Sequence, residues 1–175
     1  MCGICRCVKR LLESAVVLAF CTFSLGAEQS PVATGSIKRA YVDQTGHVHI
    51  VRNGRDLRIA GEKDQVSGDA PVIASDNETV GWLVEFPNCC TSYPVPTLLV
   101  IYRSGKVVQR IGDGMMLYKW RFLDDGRRVA VSSGTVHGMT GIHLTLYDSR
   151  TGRRLKTWDG EETDVPPAWG ALVAH

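Results

Sequence analysis

Two adjacent cysteines are the most reactive side chains in the sequence. Cys89 and Cys90 lie in the segment Phe86–Pro96, and they are the only cysteines after residue 27. In an oxidising compartment two such thiols are expected to react. We expect a disulfide between Cys89 and Cys90, although its eight-membered ring is strained and easily reduced. Bonds to another chain and two reduced thiols are the alternatives.

The same segment has the composition of a rigid binding loop. Pro87, Pro94 and Pro96 restrict its backbone, and a rigid loop loses little conformational entropy on contact with a partner. The sequence therefore predicts a ligand- or partner-binding surface that includes His137, from a second, glycine-bounded loop. The predicted binding residues are Phe86, Asn88, Cys89, Cys90, Tyr93 and His137.

Two histidines have spacing that could hold a metal. His47 and His49 are two residues apart in an apolar run, so both imidazoles lie on one face of a strand. His137 and His143 are the candidates for a third ligand. Two imidazoles alone do not hold zinc, so we favour a solvated face, with Val48 and Ile50 pointing inward. The sequence predicts no metal and no cofactor.

A serine and a histidine suggest hydrolysis, but the surrounding motif is absent. Ser132 and Ser133 precede His137, yet there is no G-x-S-x-G segment and no strand–turn–helix pattern around them. Ser132, Ser133 and Gly134 are interpreted as a polar, flexible patch instead. The enzymatic alternative is a metal- or thiol-dependent enzyme that uses the His47, His49 and His137 set or the Cys89-Cys90 loop.

These residues lie in a chain of short strands and turns. Alternating apolar residues flank the turns Asp124-Asp125-Gly126 and Asp148–Gly152, which predicts two hairpins between Trp120 and Trp158. Similar hairpins recur upstream, and their turn glycines at 54, 105 and 152 are 51 and 47 residues apart. A period near 50 indicates one supersecondary unit that repeats. The four tryptophans are interpreted as packing residues.

The last repeat carries a family resemblance. Trp120-x-Phe122-x-Asp124-Asp125-Gly126-Arg127-Arg128-Val129-Ala130-Val131 resembles the core of the WD40-like repeats of TolB-type bacterial β-propellers. The later segment LYDSRTGRRLKTW is similar to a WD40-type strand–turn–strand. The resemblance implies an all-β fold of antiparallel propeller-type hairpins, in an exported protein with scaffold, binding or interaction roles. It specifies blades and no catalytic residues.

The N-terminus has the features of a targeting segment. Arg6, Lys9 and Arg10 precede a largely apolar run that ends in small residues at Ala27. We predict a signal peptide over 1–27, which is helical, a linker over 28–35, and export to the periplasm or the extracellular space. An uncleaved leader is the alternative, and the only expected membrane contact. The Cys2, Cys5 and Cys7 cluster lies inside this segment and lacks a partner cluster.

The remaining chain is long enough for one domain but short for a propeller. Without residues 1–27 the chain falls from 20 basic and 18 acidic residues to 17 of each, which gives no electrostatic case for nucleic acid. We predict one β-rich domain over 36–175 with repeats near 37–60, 71–111 and 120–158. The only late candidate for a helix is the short tail Ala168–Ala174. Ring closure takes at least about four blades. An incomplete propeller, a sandwich-like stack and a homo-oligomeric ring therefore stay open, with an unknown protein or envelope component as partner.

Overall fold

Antiparallel strands account for the regular structure of this protein. The computed structural model describes residues 36–89, 91–136, 141–161 and 163–174, and within them there are eleven strands and no helix. The predicted signal helix lies outside the described residues. The strands are β1 (Ile37–Val42), β2 (Val48–Arg52), β3 (Arg55–Arg58), β4 (Ser67–Ile73), β5 (Thr79–Phe86), β6 (Val95–Arg103), β7 (Lys106–Ile111), β8 (Met116–Leu123), β9 (Arg128–Gly134), β10 (Ile142–Asp148) and β11 (Arg154–Gly160).

The strands form three sheets in which neighbours along the chain pair with each other. The first sheet has the order β1-β2-β3, the second β4-β5-β6-β7 and the third β11-β10-β9-β8. Each sheet is therefore a simple meander, as expected when short turns join antiparallel strands. The sheets span residues 37–58, 67–111 and 116–160. The predicted repeats were near 37–60, 71–111 and 120–158.

Alternation of side chains along the central strands builds two cores between the sheets. On β5, Val80, Trp82 and Val84 pack against the first sheet, whereas Leu83 faces the third. This is the two-residue period of a strand that is buried on both faces. The first core joins Ile37, Val48 and Ile50 to Val80, Trp82, Val84, Val100 and Tyr102. The second joins Leu83, Leu99, Ile101 and Ile111 to Leu117, Val129 and Val131.

A third core covers the outer face of the third sheet. Ile142, Leu144 and Leu146 point away from the second sheet and contact Val173 and Ala174 of the C-terminal tail. Trp158 and Trp169 pack against this cluster from the side. The tail forms turns between Ala168 and Val173 and no helix, so the candidate helix over Ala168–Ala174 is wrong. Hydrogen bonds from Gly170 and Ala171 to the carbonyl of Pro167 close the first of these turns.

The predicted flexible patch is also wrong. Ser132, Ser133 and Gly134 continue β9, and all three are buried. Because β9 lies between β8 and β10, both edges of its backbone are hydrogen-bonded in the sheet. Local polarity gave no indication of this central position, which overrides the loop preference of serine and glycine.

The two ends of the stack differ in their connections. We call one the turn end, because tight turns close it after β2, β4, β6, β8 and β10. Ser75 donates to Asp125 across two of these turns at 2.7 Å, and the backbone N–H of Ser149 donates to the carbonyl of Arg127 at 3.0 Å. The other, the loop end, carries the connections after β1, β3, β5, β7 and β9.

The first strand of every sheet departs from regular pairing. The register shifts between Ile37 and Arg39 on β1 and between Leu117 and Lys119 on β8. On β4 it shifts between Asp69 and Val72, where Ala70 has a φ of 38°. These irregularities are β-bulges, and each lies on an edge strand.

Candidate functional site

The predicted binding loop lies at the loop end of the second sheet. It joins β5 to β6, and in the third sheet the connection at the same place, from β9 to β10, contains His137. His137 itself lies outside the described residues. The topology therefore puts the two loops that the sequence singled out at equivalent positions of neighbouring sheets.

Hydrogen bonds within the β5–β6 loop hold its polar residues together. The Asn88 amide donates to the Thr91 hydroxyl at 3.2 Å, and that hydroxyl donates to the carbonyl of Tyr93 at 2.6 Å. Phe86 is half-buried against the first core, whereas the Tyr93 side chain is 57% exposed. The loop thus presents an aromatic ring to solvent on an internally bonded backbone, as binding loops do.

Cys89 is exposed in this loop. Cys90 lies outside the described residues, so the disulfide between them stays a prediction.

A polar groove of about 470 Å³ opens at the loop end of the third sheet. Three neighbouring strands contribute one side chain each at the same level, because Ser133, His143 and Asp159 are direct cross-strand partners. Paired residues of antiparallel strands point to the same face, here the face toward the second sheet. The groove is lined by Met115, Ser133, Gly134, Thr135, Gly141, Ile142, His143, Asp159, Gly160, Glu161 and Asp164.

The histidine of the groove is fixed by two neighbours. Its Nδ1 bonds the Asp159 carboxylate, and its Nε2 lies 3.3 Å from the Thr145 hydroxyl. Thr145 and Ser133 are buried, so neither is an accessible nucleophile, and Ser132 faces away from the groove beside Leu144. The hydrogen bonds of His143 go to Asp159 and Thr145 and not to Ser133. This arrangement orients an imidazole for hydrogen bonding and does not form a serine–histidine pair of the hydrolase type.

The walls of the groove are held by further hydrogen bonds. The Tyr118 hydroxyl donates to the carbonyl of Thr135, and burial raises the pKa of that hydroxyl, so it stays a donor. Asp164 accepts from the backbone N–H of Glu161 at 2.9 Å. Among the described lining residues there are three carboxylates, one imidazole and no lysine or arginine. The groove is therefore suited to hydrogen-bond donors of a ligand.

His47 and His49 lie on the outer face of the first sheet, opposite the face that carries Val48 and Ile50. Val48 and Ile50 point into the first core, as predicted. Nδ1 of His49 is 2.8 Å from Asp56 on β3, and Nε2 is 3.1 Å from Asp43 in the β1–β2 turn. The His49 ring stacks on Tyr41, with 4.9 Å between centroids. We call Tyr41, Asp43, His49 and Asp56 the histidine cluster.

In the histidine cluster, the ring nitrogens of His49 that could bind a metal already form hydrogen bonds. Both ring nitrogens of His49 are hydrogen-bonded to carboxylates, so neither nitrogen is directed at a shared point with His47. Within the described residues, no group of three or more His, Cys, Asp or Glu side chains is arranged to hold a metal ion.

Sequence reasoning missed the acidic residues of the groove and the carboxylates of the histidine cluster. Asp159 lies on β11 of the last hairpin, Glu161 and Asp164 follow that strand, and none of the three was among the predicted site residues. The turn at Asp148–Gly152 alone would pair His143 with Trp158. A register shift between Leu146 and Tyr147 moves the pairing by one residue and brings Asp159 opposite His143, and a sequence does not reveal such a shift.

No protein-family model matches this chain, and no curated protein matches it either. Over the residues that the structure describes, there is no helix of the length and apolar character needed to cross a membrane.

Proposed function

We propose that this chain is an exported β-repeat module of the propeller type that binds a protein or a cell-envelope component through its loop end. Three meander sheets stacked in chain order support the propeller relationship, because propeller blades are meanders that pack face to face. The basic and apolar pattern of residues 1–27 supports export.

The observation that carries the binding proposal is an exposed aromatic side chain at the loop end. The turn end has a cavity of about 460 Å³ beside turns that bond each other, whereas the loop end has the exposed Tyr93 and the polar groove. Exposed aromatic side chains on fixed backbones contribute strongly to binding free energy. We therefore place the contact surface on Tyr93 and the groove residues His143, Asp159 and Asp164.

Site-specific photo-crosslinking in the producing cell tests this surface. A photoreactive phenylalanine replaces Tyr93 or Asp164 at the loop end, and Lys106 or Arg153 at the turn end as matched exposed controls. We expect discrete crosslinked products from the two loop-end positions only. Products from the turn-end positions, equal products from both ends, or none at all would contradict the proposal.

The intact mass of the exported chain tests the compartment and the cysteine state together. We expect a mass that begins at Glu28, with Cys89 and Cys90 resistant to alkylation until a reductant is added. A retained leader with thiols that alkylate at once would show that both the export and the disulfide predictions are wrong.

A further inference from the structure

The histidine cluster joins three separate pieces of the first sheet. His49 lies on the middle strand β2, Asp43 lies in the turn that precedes β2, and Asp56 lies on the edge strand β3. Tyr41 of β1 completes the set, because its hydroxyl donates to the second oxygen of Asp56 at 2.5 Å. A single imidazole therefore bridges the turn and the far strand.

Only one protonation state of His49 satisfies both carboxylates. A carboxylate accepts hydrogen bonds, and an imidazole donates from both nitrogens only when it is protonated. The neutral ring has one N–H and one lone pair, so one carboxylate would then face a lone pair. Loss of a single proton thus removes one of the two hydrogen bonds and the attraction between opposite charges.

The turn carboxylate is fixed independently of the imidazole. Oδ1 of Asp43 accepts from the backbone N–H of Thr45 at 2.8 Å and from that of His47 at 3.0 Å. It also accepts from the Thr45 hydroxyl at 2.7 Å. These bonds leave Oδ2 of Asp43 for His49, so the imidazole joins an already ordered turn to β3, beside the longer ion pair of Arg58 on β3 with the same oxygen.

The other charged groups on this face are accounted for. The Arg39 guanidinium lies over the Tyr41 ring, 4.4 Å from its centroid, and Nε of Arg58 is 3.9 Å from Oδ2 of Asp43. Nδ1 of His47 is 3.0 Å from the Thr45 hydroxyl. Both carboxylates lie closer to the His49 ring nitrogens than these cations lie to the carboxylates.

We propose that His49 is a protonation-dependent latch on the first sheet. As imidazolium it ties the β1–β2 turn to β3, and on losing its proton it releases one of these connections.

The direction of the pH dependence follows from three pKa values. The hydrogen bond that His49 donates to Asp56, with a second that it donates to Asp43, raises the pKa of His49 above its usual 6.5. Hydrogen bonds from the backbone of His47 and the side chain of Thr45 lower the pKa of Asp43 below 3.8, and hydrogen bonds from Tyr41 and His49 lower that of Asp56 below the same value. Both hydrogen bonds of the latch are therefore present at pH values above the lowered pKa values of Asp43 and Asp56 and below the raised pKa of His49. The stabilisation that the latch provides is full below 6.5 and is lost as the pH rises through the raised pKa of His49.

NMR titration of the exported protein with hydrogen exchange tests the latch. We expect the His49 ring protons to titrate above pH 6.5. We also expect amide exchange over residues 43–58, corrected for its intrinsic pH dependence, to rise severalfold between about pH 6 and pH 9. In the His49→Gln variant this rise should disappear, whereas His47→Gln, a matched control on the same strand, should retain it.

Two outcomes would overturn the proposal. One is a His49 titration at or below pH 6.5 in the folded protein. The other is corrected exchange over residues 43–58 that does not change with pH, or that changes equally in His49→Gln. Asp56→Asn provides a second test that leaves the histidine in place. It should move the His49 titration to lower pH, and an unchanged titration would also contradict the latch.

Discussion

The two outermost faces of the stack differ in what covers them. The outer face of the third sheet is apolar, and the C-terminal tail packs Val173 and Trp169 against it. The outer face of the first sheet has the histidine cluster together with Arg39 and Arg58, whose polar groups bind each other. The C-terminal tail covers the outer face of the third sheet, whereas the polar side chains on the outer face of the first sheet form hydrogen bonds and ion pairs with each other.

This difference bears on how the short repeat array ends. A ring closed by several copies would need an apolar outer face on the first sheet and on the third, so that one copy packs on the next. Neither face is suited to this packing in a single chain. We therefore expect a monomer in solution, and the following predictions test whether the two faces are what prevents assembly.

Removing the tail should have the largest effect. A chain that ends at Asp164 exposes Ile142, Leu144 and Leu146, which are almost completely buried in the full chain. We expect self-association or aggregation in light scattering and a lower melting temperature, because a contiguous apolar face is left without cover. A truncated chain that stays monomeric with an unchanged melting temperature would mean that the tail does not protect this face.

Replacing one tail residue should destabilise the full chain by a smaller amount. Trp169→Ala leaves a gap beside the third core, and we expect a loss of about 2 kcal/mol in unfolding free energy, because the side chain is only half-buried. Urea denaturation measures this loss. Leu172→Ala is the matched control from the same tail, since Leu172 is 61% exposed and should change the unfolding free energy little. Equal losses in both variants would contradict the assigned packing.

Making the outer face of the first sheet more apolar should allow two copies of the chain to associate through it. The double variant Arg39→Leu with Arg58→Leu removes two cations from the outer face of the first sheet. We expect concentration-dependent dimers in analytical ultracentrifugation, with the wild-type chain monomeric. The pair Arg150→Leu with Arg153→Leu, exposed at the turn end, is the control. Dimers from this control pair as well would show that any added leucine is sufficient.

Removing one hydroxyl from the histidine cluster should have the smallest effect. Tyr41→Phe deletes the hydrogen bond that contributes most to lowering the pKa of Asp56. We expect that pKa to rise toward its usual value of 3.8, with the urea midpoint at neutral pH unchanged, because these groups are solvated. Carboxyl NMR titration checks the shift. An unchanged pKa would show that the Tyr41 hydroxyl does not bond Asp56 in solution.

Local patterns predicted most of the strands of this fold. The first predicted repeat, near 37–60, contains three strands, β1, β2 and β3. Asp124 and Asp125 both have positive φ, as the predicted hairpin turn requires. Trp120 and Phe122 share a face and make an edge contact at 5.1 Å, as their spacing predicts. Period and turn chemistry are local properties, so a sequence reveals them.

Properties that depend on neighbouring strands were not predictable in the same way. Ser132 and Ser133 have the polarity of a loop but lie in a central strand. Asp43 and Asp56 were not connected to His49, since their contact requires three strands in register. The binding surface stays a prediction. The composition of the β5–β6 loop indicates that it could bind a partner, but it does not identify that partner.

The β-bulges on β1, β4 and β8 have a consequence for the behaviour of the protein at high concentration. A regular edge strand offers a continuous row of N–H and carbonyl groups on which another chain can form a cross-β ladder. On β4 the bulge contains Pro71, which has no N–H to donate, and on β1 it is followed by the charged Arg39. The first strand of each sheet is therefore a poor template for amyloid growth, although eleven β-strands make up most of the described chain.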